Sequence, residues 1–151
     1  MKTICFELGN INANNMVSGY TPTILNEWKQ IRLQKVKMKN IELQPFVNWK
    51  ADPYKAPDWW PAYNKVKHER VDNFKKANLK NVINALAGLY VLESYLARHI
   101  GEKNNDVDVP NDVSKVFELV DFITKNRVIA KNTYLVLVNG EEKISMKEWI
   151  E

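Results

Sequence analysis

His68 and Asn64 are the residues whose types and spacing most readily do chemistry. They lie four apart in the segment Trp59-Trp60-Pro61-Ala62-Tyr63-Asn64-Lys65-Val66-Lys67-His68-Glu69-Arg70. On a helix that spacing puts both on one face. A histidine with an ordinary pKa of about 6.5 exchanges its proton near neutral pH and serves as general acid or base. Lys67 and Arg70, three apart, occupy an adjoining face, with Lys65 close by. Cations in this arrangement neutralise phosphate charge, and the indoles of Trp59 and Trp60 offer flat surfaces on which bases stack. Downstream, Asn78, Asn81 and Asn84 recur at three-residue spacing. Asparagine is a poor helix former, so this stripe is expected to form a polar strip turned towards His68.

Each of these features also has a plainer reading. Asn64 and His68 can bond to each other and hold helix register, since buried polar groups need partners. Trp59 and Trp60, beside a proline-rich entry, can plug one end of a core. His99, in Arg98-His99-Ile100-Gly101, is expected to complement the dipole at a helix end. The lysines can be a solvated surface. They cluster twice, at Lys29, Arg32, Lys35, Lys37 and Lys39, and at Lys65, Lys67, Arg70, Lys75, Lys76 and Lys80.

Several chemistries find no support. The five glycines are scattered and form no phosphate-binding loop, and there is no G-x-S-x-G, H-E-x-x-H or C-x-x-C motif. One cysteine and two histidines leave a zinc site short of ligands, so neither a metal nor another cofactor is expected. Cys5 reads as a small buried apolar residue. Lysine and arginine number 22 against 18 aspartates and glutamates, a formal charge of +4, which permits a polyanionic partner without demanding one. No apolar run reaches the ~18 residues that a membrane helix needs, so no membrane partner is expected. The lack of an export signal or disulfide points to the cytoplasm.

The elements that must position these residues read as follows. Residues 1–10 alternate and suggest a strand; 10–22 suggest a loop; 23–30 suggest two helical turns after Thr21-Pro22. Period-two alternation over 29–46 predicts one or two antiparallel strands, with breaks near Gln34-Lys35 and Lys39-Asn40. A loop over 47–58 leads to Asp58 as N-cap and Pro61 in the first turn. A helix is expected over 59–71, then, after a break at Asp72-Asn73, a long one over 74–100. That helix has Leu79, Val82, Ile83, Leu86, Leu89, Tyr90 and Leu96 on its apolar stripe and Gly101 as its stop. After a polar linker at 101–111, a third helix over 112–126 is predicted, capped by Asn111 or Asp112. Asn139-Gly140 between apolar runs marks a β-hairpin over 133–146, followed by a helical turn near 145–149. The fold class is therefore α+β: a central antiparallel helical hairpin plus a third helix, packed with a small antiparallel sheet that includes the C-terminal hairpin. One domain is expected over 1–151, strand-rich over 1–46, helical over 57–126 and closed by the hairpin at 133–146.

The run from Tyr63 to Arg70, followed by a long apolar helix, resembles the histidine-bearing region of HEPN domains. These are helical proteins, many of them RNA-cutting toxins or host-defence ribonucleases that act as dimers. Their hallmark is an arginine, usually followed by a polar residue, and after a short spacer a histidine. His68 matches the histidine and Asn64 the polar residue; Tyr63 stands in the place of the arginine. The resemblance covers about residues 57–100 and implies an RNA-associated module in a defence or toxin–antitoxin setting, with itself or another protein as partner. It makes His68 the general acid or base, Asn64 its orienting group, and Lys67 and Arg70 charge neutralisers, with Lys65 and Trp60 on the binding surface. Tyr63 donates a hydrogen bond but brings no positive charge, so the implied module is an altered ribonuclease or a non-cutting binder. Two other readings stand beside it. One is a protein-interaction module using strand edges in 29–46 or 133–146. The other is a small-molecule pocket lined by Trp49, Trp59, Trp60 and the asparagine stripe.

Overall fold

The computed structural model describes residues 1–104, 114–130, 133–138 and 141–145, with side-chain surroundings for 1–103 and 114–122. The architecture mixes helix and strand. The chain opens with α1 (Lys2–Glu7), a π-helical turn at Met16–Tyr20, α2 (Thr21–Glu27) and a 3-10 turn at Lys29–Arg32. Next come β1 (Lys35–Met38), β2 (Ile41–Leu43), α3 (Trp60–His68), α4 (Arg70–Asn73), a 3-10 turn at Phe74–Lys76 and α5 (Leu79–Asn104). The described chain closes with β3 (Glu118–Val120), β4 (Ile123–Ala130), β5 (Thr133–Val138) and β6 (Glu141–Ser145).

The strands form two antiparallel sheets, ordered β2-β1-β3 and β4-β5-β6. β1 and β2 turn at Lys39-Asn40, as the phase slip in the sequence predicts, with Lys39 at a φ of 53°. In the second sheet Val138 pairs with Glu141, so β5 and β6 are antiparallel neighbours on either side of Asn139-Gly140. Those two residues, the turn near 145–149 and most of the 101–111 linker lie outside the described residues.

Three expected elements are corrected. The N-terminal strand is α1. Ile4 and Cys5 are buried with Leu8 against them, whereas Phe6, which alternation would bury, is exposed. Spacing of three and four therefore outweighs the apparent period of two. The third helix over 112–126 is replaced by β3 and β4. Ser114 Oγ accepts from the Val116 and Phe117 amides at 3.1 and 3.0 Å, and Leu119 pairs with Val36 of β1. Asp121, at a φ of 52°, interrupts any helical path. The open edge of β1 lies far away in sequence, and its hydrogen bonds decide between two local options. Lastly, Gly101 lies buried within α5 rather than stopping it.

The core lies between α5, the N-terminal helices and the first sheet. Trp28, Tyr95 and Phe122 form a run of rings with centroids 5.5 and 5.2 Å apart. The Arg98 guanidinium lies over Tyr95 and Phe122 at 4.5 and 4.9 Å. Gln34 donates from Nε2 to the Val120 carbonyl at 2.8 Å and accepts from the Tyr95 hydroxyl at 3.3 Å, joining β1, β3 and α5. A second aromatic group contains Phe46, Trp49 and Trp59. Trp49 Nε1 donates to Thr21 Oγ1, and Trp59 Nε1 to the Pro45 carbonyl, both at 3.0 Å. Both indoles therefore enter the core with their polar atoms satisfied.

Gly88 is where α5 meets this group. A Cβ there would lie 3.0 Å from Trp59 Cζ2 and 3.2 Å from Phe46 Cζ. Replacing a helical glycine by valine gains roughly 0.5 kcal/mol of propensity, but overpacking a core costs about 1–3 kcal/mol. Packing wins. Gly88→Val is expected to lower the stability by about 1–2 kcal/mol in urea unfolding; equal or greater stability would mean that the Trp59 ring yields at no cost.

Candidate functional site

α3 begins where Trp59 leaves the core. Pro61 falls in its first turn, as expected, where a missing N–H costs nothing. Asp58 is not its cap: the carboxylate accepts from Asn48 Nδ2 at 2.7 Å and lies 3.9 Å from Lys55 Nζ. From Trp59 the aromatic contacts continue outward. Trp60 meets Trp59 edge to face at 5.9 Å and tilts against Tyr63 at 5.4 Å. The series runs from fully buried Trp49 through Phe46, Trp59 and half-buried Trp60 to exposed Tyr63.

Helical spacing places Trp60, Tyr63, Asn64, Lys67 and His68 along one side of α3. Asn64, Lys67 and His68 are all exposed. Among the described residues no hydrogen bond joins Asn64 to His68. α3 ends at His68 because Glu69 adopts φ −136° and ψ 63°, off the helical region. Arg70, also exposed, starts α4 beyond this break.

Lys65 belongs to a different neighbourhood. The reversal through α4 brings Lys76 against it, so two ammonium groups lie side by side. Buried Asn73 holds the arrangement. Its Nδ2 donates to the Glu69 carbonyl and to Glu69 Oε2, at 3.1 and 3.2 Å, and its Oδ1 accepts from Lys76 Nζ at 2.6 Å. Desolvation and the Lys65 charge hold the Lys76 ammonium below the usual lysine range, and Glu69 opposes them. Sequence reasoning put Lys65 and Lys76 in one basic cluster but missed Asn73 as the anchor of the turn that joins them. The Asp72-Asn73 break was the available signal. The other basic group is partly neutralised, since Lys35 Nζ meets Glu42 Oε1 at 2.8 Å across β1 and β2, which raises the Lys35 pKa.

The asparagine stripe is corrected. Asn78 Oδ1 accepts from the Asn81 amide at 3.0 Å, the bond of an N-cap at the start of α5. Asn81 Nδ2 donates to the Lys76 carbonyl and Asn84 Nδ2 to the Lys80 carbonyl, both at 2.9 Å. These side chains serve nearby backbone groups rather than a strip facing His68. His99 is corrected too. It lies within α5, its Nδ1 3.9 Å from Glu27 Oε1 and its ring edge-on to Trp28 at 6.3 Å. Cys5 is buried, and burial pushes its thiol pKa up.

Trp49 and Trp59 are packed into the core rather than lining a pocket. An open cleft of about 670 Å³ occurs elsewhere, beside α2, lined in part by Asn10, Thr23, Asn26 and Glu27. Among the described residues no group of three or more histidine, cysteine or acidic side chains is placed to hold a metal. No described helix is long and apolar enough to cross a membrane.

No known protein family, curated protein or solved structure matches this chain.

The capping role has a direct consequence. Asn78→Ala is expected to lower stability by about 1 kcal/mol, and Asn78→Asp to retain most of it, because aspartate caps as well as asparagine. Equal thermal stability of the alanine variant and the parent would remove the cap assignment.

Proposed function

We propose that this protein is an RNA-associated, HEPN-like module, in which α3 and the start of α5 form a helical hairpin that presents an RNA-binding face. Single-stranded RNA lies along α3. Trp60 and Tyr63 stack on bases, Lys67 and Arg70 neutralise phosphates, Lys65 adds charge from the neighbouring side, and Asn64 donates or accepts hydrogen bonds. The observation that carries the reading is the ring series that leaves the core at Trp59 and reaches the surface at Tyr63, on the side of α3 that also bears Lys67 and His68. Stacking platforms joined to cations are the usual means of holding single strands.

Binding rather than cleavage is the task proposed. His68 is exposed, but Tyr63 beside Asn64 offers a neutral donor to a developing oxyanion, which a cation stabilises far better. Exposure of both Asn64 and His68 supports a surface role for them over a register role.

The test is binding of labelled single-stranded RNA across a salt series, with intact and cleaved RNA resolved on a gel. Lys67→Ala is expected to weaken binding for all sequences and to reduce the salt slope by about 1. Tyr63→Ala is expected to cost about 1–3 kcal/mol of affinity through lost stacking. His68→Ala should bind nearly as the parent does. Cleavage that disappears in His68→Ala would make the protein a ribonuclease, and no binding at low salt would remove the RNA reading.

A further inference from the structure

Between α3 and α5 the usual order of inside and outside is reversed. From Lys67 to Lys80 every residue is exposed except Asn73, a polar one. Val71, Phe74 and Leu79, the bulky apolar residues of this stretch, are 92, 66 and 74% exposed. The sequence reading set Leu79 on the apolar stripe of α5, yet it points outward. It opens an outer seam continued by Val82, Leu86 and Leu89, which are less exposed. Single apolar residues at a surface are ordinary. Three in one short reversal, around a buried asparagine, mark a place made for contact.

Backbone groups of the reversal find partners within it. The Asn73 and Ala77 amides donate to the Glu69 and Phe74 carbonyls at 3.2 and 3.0 Å. Asn73 Nδ2 and Asn81 Nδ2 donate to the Glu69 and Lys76 carbonyls. Polar groups bonded in this way lose little on leaving water. Charge is concentrated here as well. Residues 65–80 hold six of the 22 lysines and arginines against two of the 18 acids, a surplus equal to the formal charge of +4 of the whole chain. Lys76 is held by Asn73, whereas Lys67, Arg70, Lys75 and Lys80 are spread around the exposed apolar residues.

We propose that the reversal between α3 and α5 docks on an anionic lipid surface, Val71, Phe74 and Leu79 entering the headgroup layer while the surrounding cations meet lipid phosphates. Interfacial binding grows with the apolar area covered and with attraction to anionic lipid, and this segment supplies both. Lysine stems lie along the apolar layer while their ammonium groups stay at its wet edge. A nucleic acid is a poorer occupant, since Val71 and Leu79 have no ring on which a base could stack. Val71, at 92% exposure, has almost no neighbour on any side. That marks a convex tip, not a groove for a partner's helix. The expectation of no membrane partner rested on the lack of a spanning helix; a surface contact needs none.

Flotation of the full chain with vesicles tests it, one set of phosphatidylcholine alone and one with phosphatidylglycerol in equal part. The parent is expected to float with the anionic vesicles and to stay behind with the neutral ones. Lys67 and Arg70 serve the RNA reading too, so the decisive variants are apolar. Phe74→Ser and Val71→Ser should each weaken binding about tenfold through the apolar cover lost, and Phe74→Leu should bind as the parent does. Lys75→Gln should cost about fivefold, the effect of one cation at an anionic surface. Circular dichroism melts like the parent's establish that each variant is folded. The result stands whether or not the parent binds RNA. A parent that does not float with anionic vesicles overturns the proposal and leaves the tip to an acidic protein partner. So does flotation unchanged in both serine variants, because charge alone would then hold the protein at the surface.

Discussion

The close approach of α5 to Trp59 at Gly88 is the contact on which the rest of the arrangement depends. With a Cβ at position 88 only 3.0 Å from the indole, no larger residue fits while the ring keeps its place. The indole is in turn fixed by its bond to the Pro45 carbonyl and by Phe46. One helix face, one loop and one ring therefore determine one another. Because Trp59 immediately precedes α3, this contact also sets where α3 begins. Trp60 can only lean outward from it, and Tyr63, one turn on, reaches solvent. The candidate surface is thus anchored to a buried aromatic group of the core, which is what a binding site needs if its groups are to be held in place before a ligand arrives.

The chain between α3 and α5 is held by polar bonds rather than by apolar burial. Glu69 leaves the helical region, Asn73 spans Glu69 and Lys76, and Asn78 caps the helix that follows. Val71 and Phe74 in the same stretch are largely exposed. The juxtaposition of Lys65 and Lys76 follows from this reversal and is unfavourable, since each ammonium opposes the other's charge. Solvent exposure limits the cost, because like charges at a wet surface repel weakly and salt screens them further. The positive character of this region is therefore a product of the turn, and any anion drawn to it would relieve a repulsion already present.

Local signals made much of the fold legible. The Lys39-Asn40 turn, the strands flanking Asn139-Gly140, the Thr21-Pro22 helix start and Pro61 all carry preferences that act within a few residues. The failures came where two local options were close in energy and distant residues chose between them. Alternation at 4, 6 and 8 and helical spacing at 1, 4, 5 and 8 coexist in the first ten residues. Burial of Ile4 and Cys5, with Phe6 left outside, settled that choice. In 114–126 the edge of β1, some eighty residues away, turned an apolar helical pattern into strand. On α3, spacing paired Asn64 with His68 and set Lys67 with Arg70 on an adjoining face, but the separation of Lys65 from that side of the helix depends on a reversal that spacing does not encode. The asparagines misled because capping and a functional polar strip use the same residue type; position just before a periodic run was the clue that favoured the cap.

α5 explains why one periodicity was ambiguous, and it links the two surfaces. An amphipathic helix has one apolar side, so a sequence listing of its apolar residues identifies the buried face. α5 has two such sides, and the listing merges them. Leu79, Val82, Leu86 and Leu89 lie across the helix axis from Ala87, Gly88, Val91 and Tyr95. The small residues on the inner side permit close packing against rings, while the branched aliphatics on the outer side stay exposed. Such a division makes the inner face structural and leaves the outer face open to solvent. The two differ in reach. A disturbance at Gly88 acts through Trp59 on the start of α3 and so on the whole candidate surface, whereas the outer seam contacts none of the core and can change without moving it.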